Sequence, residues 1–160
     1  MKTEHPSGSA VGIGLIAGLR PMTALAAVAW GVKRGRIRIG PSPFARIISA
    51  SMSKRIAEFA VAELIADKLP FTPSRLKAAP LISRIVSGAI CGATIHGTTK
   101  RPLTDGAVLG GLGALAGALT GYHLRQKLNR DMPDLAVELM EDAVAVGGRA
   151  LVVTLSGSVA

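Results

Sequence analysis

Apolar residues come in five runs along this chain, separated by stretches rich in proline and arginine. The first runs from about Ser9 to Gly31, with Arg20-Pro21 at its midpoint. The second, Pro43 to Asp67, is mixed: Arg46, Lys54, Arg55 and Glu58 dot its first half, and Ile56–Ala66 is mostly apolar. The third, Ser83 to Thr98, is short. The fourth, Gly106 to Leu124, carries no charge before Arg125, and the fifth, Pro133 to Leu155, starts with acids and ends apolar. None alternates apolar with polar residues as a half-buried strand does, and Ala, Gly and Leu outweigh the β-branched types. The pattern predicts an all-α chain. The first run is long enough to cross a hydrocarbon core of about 30 Å, so the expected architecture is a multi-pass helical membrane bundle in a single domain over residues 1–160.

Composition sharpens that expectation. Hydrophobic residues make up 49% and charged residues 18%, against about 25% charged in soluble domains. Mean hydropathy is +0.41. The net charge of +9 does not point to nucleic acid, because the basic residues lie mostly between apolar runs instead of forming one basic face. Loops held against anionic lipid explain them better. If all five runs cross, Lys33–Arg38 and Lys68–Arg84 fall on opposite sides and no charge bias results. If the second run lies at the surface or re-enters, 14 of the 19 basic residues collect on one side. The positive-inside rule then favours about four crossings plus one interfacial or re-entrant helix, in a bacterial inner membrane, with Trp30 and Tyr122 at the cytoplasmic interface. Residues 10–19 resemble the apolar part of a signal peptide. Lys2 is offset by Glu4 and Arg20 interrupts the run, so the segment reads as a retained helix.

Pro21 removes a backbone donor and breaks or kinks the first helix. It suits the first position of a new helix. A half-helix starting near Met22 would carry its positive end and Arg20 to membrane depth, where an anionic group can be held. An intramembrane charge costs about 2.5–3.5 kcal/mol on insertion scales, so Arg20 is expected to have a partner. Acidic candidates exist. Glu138, Glu141 and Asp142 share a helix face, as do Glu63 and Asp67. Close buried carboxylates raise one another's pKa, which suits proton or cation handling. Arg149 would return to the Asp142 face. The bland alternative for Glu138 is a solvated first turn that complements the helix dipole.

Glycines recur four residues apart at Gly14/Gly18, Gly88/Gly92, Gly106/Gly110, Gly113/Gly117 and Gly117/Gly121. Each pair opens a groove on one helix face, where close backbone approach replaces the hydrophobic force that lipid lacks. This packs the bundle, or joins copies in a homo-oligomer. The single cysteine, Cys91, sits in a small-residue run and reads as a packing residue. His96 stands alone and His123 beside Tyr122 reads as interfacial, so no metal or cofactor site is expected. No phosphate-binding loop, nucleophile elbow or zinc spacing is present. Glu63-Leu-Ile-Ala-Asp67 echoes Glu138-Leu-Met-Glu-Asp142, a faint repeat relating residues 10–80 to 85–155.

Five stretches carry a family resemblance: Gly18-Leu-Arg-Pro-Met-Thr23, the segment from Glu63 through Asp67, Lys68 and Phe71 to Arg75, Arg84-Ile-Val-Ser-Gly-Ala89, Gly121-Tyr-His-Leu-Arg125 and Glu141-Asp-Ala143. They resemble the bacterial membrane proteins grouped as domain of unknown function 4126 (DUF4126). The resemblance implies an integral membrane protein and transfers no catalytic residue.

The leading functional expectation is a small transporter or channel-like protein, with Arg20, Glu63, Asp67, Lys68, Arg75, Glu141 and Asp142 as the ion, solute or charge network. The alternative is a non-enzymatic structural or partner-binding membrane protein closed by buried salt bridges. An enzyme acting on lipid head groups would need a metal-binding acid cluster, which only Glu63–Arg75 could host.

Overall fold

The computed structural model describes residues 6–35, 37, 48, 50–66, 78–99, 101–128, 143–144 and 147–148. Five helices order them: α1 Pro6–Leu19, α2 Pro21–Lys33, α3 Ala50–Ala66, α4 Ala78–Thr98 and α5 Leu103–Leu128. No strand occurs among the described residues.

Proline and glycine punctuate the chain. Pro21 opens α2 at its first position, directly after an extended Arg20. At the far end of α2, Gly35 adopts φ +70°, and its N–H donates to the Val32 carbonyl at 2.9 Å. That left-handed turn ends the helix as glycine caps do. Ala78 opens α4, five residues before the expected Ser83. Pro80 falls in the first turn, where its missing N–H has no intrahelical partner to lose. The fourth run also extends past its expected ends, to Leu103 and Leu128. Asp105 in its first turn and Arg125 and Lys127 in its last complement the helix dipole. Residues 143–144 and 147–148, inside the expected fifth run, are helical.

Helices α1, α4 and α5 all pack against one another, and α5 approaches the other two at glycines. A Cβ on Gly88 would stand 2.5 Å from the Gly110 carbonyl oxygen and 2.7 Å from the Ala114 Cβ. One on Gly113 would stand 2.6 Å from the Val11 carbonyl oxygen. Gly14 faces the Gly110 backbone, and Gly18 faces Ala114, Gly117 and Ala118. Numbers rise together along that seam, so α1 and α5 run parallel. Along the other seam Gly92 faces Gly106 and Gly110 while Gly88 faces Gly110 and Ala114. Numbers there run opposite ways, so α4 and α5 form an antiparallel hairpin. Gly121 is buried as well.

The buried residues of α5 are all glycine or alanine, while elsewhere Ile13, Val28 and Ile48 are fully buried and other large apolar residues lie outside. Ala10, Ala17, Cys91, Ala93 and Ala114 are fully covered. Leu15, Phe59, Val61, Ile65, Ile82, Val86, Val108, Leu112 and Leu119 are exposed. Helix α5 is the only one among the described residues long and apolar enough to cross a membrane, and α1 is a shorter apolar helix.

Candidate functional site

The site is built around the gap between α1 and α2. Arg20 has φ −145° and ψ 98°, which is extended backbone. Its N–H still reaches the Ile16 carbonyl at 2.7 Å, and its carbonyl accepts from Ala24 N–H at 3.2 Å. One residue therefore joins the tail of α1 to the head of α2. Because Pro21 has no N–H and Arg20 leaves the helical path, the last carbonyls of α1 lose their next-turn donors.

Arg84, from the second turn of α4, supplies them. Its Nη1 donates to the Gly18 carbonyl and to the Leu19 carbonyl, each at 2.5 Å. A guanidinium there also meets the negative end of the α1 dipole. Arg84 is 4% exposed and Arg20 1%. Two arginines thus lie buried at one break. The two acids whose side chains are described, Glu58 and Asp105, are both exposed. Arg84 was expected among the basic surface residues. The structure corrects that: its place follows from the two carbonyls it serves.

Thr23, three positions into α2, is 2% exposed, and its hydroxyl has no hydrogen-bond partner among the described residues. Helical threonines commonly bond back to the carbonyl one turn earlier, as Thr94 does to Ile90 at 2.7 Å. For Thr23 that carbonyl belongs to Leu19, which accepts from Arg84.

A family model for "Domain of unknown function (DUF4126)" matches residues 8–157. The chain belongs to DUF4126. No curated protein and no solved structure matches it. The break and both buried arginines of this DUF4126 chain fall within the matched region.

The other expected site residues divide simply. Glu63 belongs to α3, while Asp67, Lys68, Arg75, Glu141 and Asp142 lie outside the described residues. His96 is buried at the α4 end beside Gly106, and neither ring nitrogen has a hydrogen-bond partner among the described residues. Its carbonyl accepts from the N–H groups of Thr99 and Arg101 and so closes the helix end. No cluster of three metal-ligating side chains occurs among the described residues. Cys91 is fully buried. His123 makes an edge-to-face contact with Tyr122 at 5.5 Å. Arg34 stacks 4.7 Å above the half-exposed Trp30 ring. The sequence signal that could have found Arg84 is its position: a lone cation just inside an apolar run, in a chain with one broken helix to cap.

Proposed function

We propose that this chain is a multi-pass protein of the bacterial inner membrane that passes a small ion or solute along the charged break in its first crossing. The observation that carries this reading is the pair of buried arginines at the α1–α2 gap, opposite the middle of α5. Gly18 packs against Ala114, Gly117 and Ala118, near the midpoint of Leu103–Leu128. At 1.5 Å per residue α5 is about 39 Å long, so its centre lies at the depth of the hydrocarbon core. Broken helices at that depth are where transporters hold their cargo.

Two further observations support the membrane setting. On α5 small residues face inward and Val108, Leu112 and Leu119 face outward, the arrangement lipid favours because packing there depends on close backbone approach. We read the recurrent glycines as that packing surface. In addition, α1 and α5 run parallel. Five successive crossings would make the first and fourth runs antiparallel, so the parallel pair agrees with a second run that does not cross. The basic loops would then rest on anionic lipid, and the exposed apolar stripes would face lipid tails or a second copy.

Flux measured in liposomes tests the reading. The expected result is ion or solute movement by the wild type that is lost in an Arg20→Ala/Asp142→Asn double variant. Equal leak from both, across several ions, removes the transport role. One observation favours the structural alternative: Arg84 already serves two backbone carbonyls, as a purely architectural cap would. That reading predicts no flux and a stoichiometric protein partner on co-purification.

A further inference from the structure

We propose that α3 is a re-entrant helix that docks on an anionic phospholipid leaflet, with Lys54 and Arg55 among the lipid phosphates and Phe59, Val61 and Ile65 among the acyl chains. This goes beyond the transport reading and takes from it only the membrane setting.

Three observations carry it. Helix α3 packs against α2, and its buried side chains among the described residues are Ile56 and Ala60, one turn apart. The rest of its described surface is exposed. Next, that surface is divided along the helix, not around it. Lys54, Glu58, Val61 and Ile65 follow the spacing of a single helix face, and so do Arg55, Phe59 and Ala62. All seven are exposed. Each face therefore starts charged and ends apolar. Phe59, Val61 and Ile65 are more than half exposed. Glu63 follows the spacing of Ile56 and Ala60, not of these two faces. A helix lying flat on a membrane, or mated along its length with a second copy, keeps one face apolar throughout. A face that changes character midway fits a boundary crossed lengthwise. Lys54 and Arg55 outweigh Glu58, so the charged end complements lipid phosphate.

Lastly, depth agrees. Helix α4 opens at Ala78, six residues before Arg84, which is about 9 Å along the axis from the break. The break lies opposite the centre of α5, and half of a hydrocarbon core is about 15 Å. Helix α4 therefore starts inside the layer. The chain leaving α3 at Ala66 has to arrive at that depth, and a helix dipping inward from its charged start leads there.

The experiment uses the full chain with Cys91→Ala, reconstituted in vesicles of phosphatidylcholine and phosphatidylglycerol. Nitroxide labels are placed singly at Ala57, Val61 and Ile65. Their spacing keeps them near one face, so differences in depth report tilt, not rotation. Depth is read from the ratio of oxygen to nickel-complex collisions. It should rise from Ala57 through Val61 to Ile65, by up to about 12 Å in all. A bimane at Val61 reads the lipid. Brominated phosphatidylglycerol should quench it more than brominated phosphatidylcholine, and Lys54→Gln/Arg55→Gln should cut that preference about fivefold or more. Equal depth at the three positions means a helix lying flat. Nickel reaching Ile65 as freely as Ala57 puts the face in water. Dipolar broadening between Val61 labels makes a second copy the occupant, and equal quenching by the two lipids removes the headgroup contact. Any of these overturns the proposal. A Leu112 label in the same vesicles separates it from the membrane setting. Leu112 in lipid with Ile65 in water sinks the re-entrant helix alone, whereas nickel at both sinks both. An absence of flux leaves depth and lipid preference as predicted.

Discussion

Replacing Arg84 by leucine should destabilise the bundle by about 2–4 kcal/mol. The side chain is buried and donates to the carbonyls of Gly18 and Leu19. Leucine fills part of the volume but leaves both acceptors unmet, at about 1–3 kcal/mol each. Two effects pull the total down. The unfolded chain in a micelle also finds partners for its polar groups, which trims the measured value of such bonds. The variant also avoids burying a charge. Two largely buried backbone acceptors still outweigh these, because nothing else among the described side chains donates to them. Lysine should recover about half of the loss, since an ammonium keeps the charge but lacks the planar fork. The assay is equilibrium unfolding in mixed micelles over a titration of denaturing detergent. A change within about 0.5 kcal/mol of wild type, the range of a neutral surface substitution, would show that Arg84 does not hold the break.

Other substitutions test separate parts of the account. Gly110→Ala should destabilise by about 1–3 kcal/mol, the range for overpacking, because its Cβ would meet Gly88 backbone atoms and the Gly92 Cα at 3.0 Å. Crosslinking yield between cysteines placed on α4 and α5 should fall in parallel. Gly35→Ala should lose only about 1 kcal/mol in the same unfolding assay: the position has φ +70° but open space around it, so backbone strain is the whole effect. Pro21→Ala should change stability by less than about 1 kcal/mol, since Arg84 holds the preceding carbonyls whether or not a proline follows. A large gain there would mean that the proline alone keeps the two helices apart.

The break was legible because proline acts locally: Pro21 forbids one hydrogen bond, and no distant contact is needed to see it. Glycine spacing was visible for the same reason, as it is a property of one helix face. Arg84 was not legible. Its partners are carbonyls some 65 residues earlier in the chain, and a cation near the start of an apolar run looks the same whether it faces water or a helix end. The start of α4 was missed because Pro80 reads as a breaker when its place in a first turn makes it harmless. The buried Thr23 hydroxyl was equally hidden: threonine in a helix is unremarkable until its burial is known. The expected acidic network lies mostly outside the described residues, and among the described residues the charges buried at the break are Arg20 and Arg84.

The account stands on the exposed face of α5 lying in lipid, with the charged break level with its centre. Nitroxide labels placed singly at Val108, Leu112 and Leu119 in a reconstituted bilayer measure this directly. Collisions with dissolved oxygen should dominate at Leu112 and Leu119, and a water-soluble nickel complex should barely relax either label. Strong relaxation by nickel at Leu112 would put that face in water, and the buried arginines would then belong to a different kind of protein.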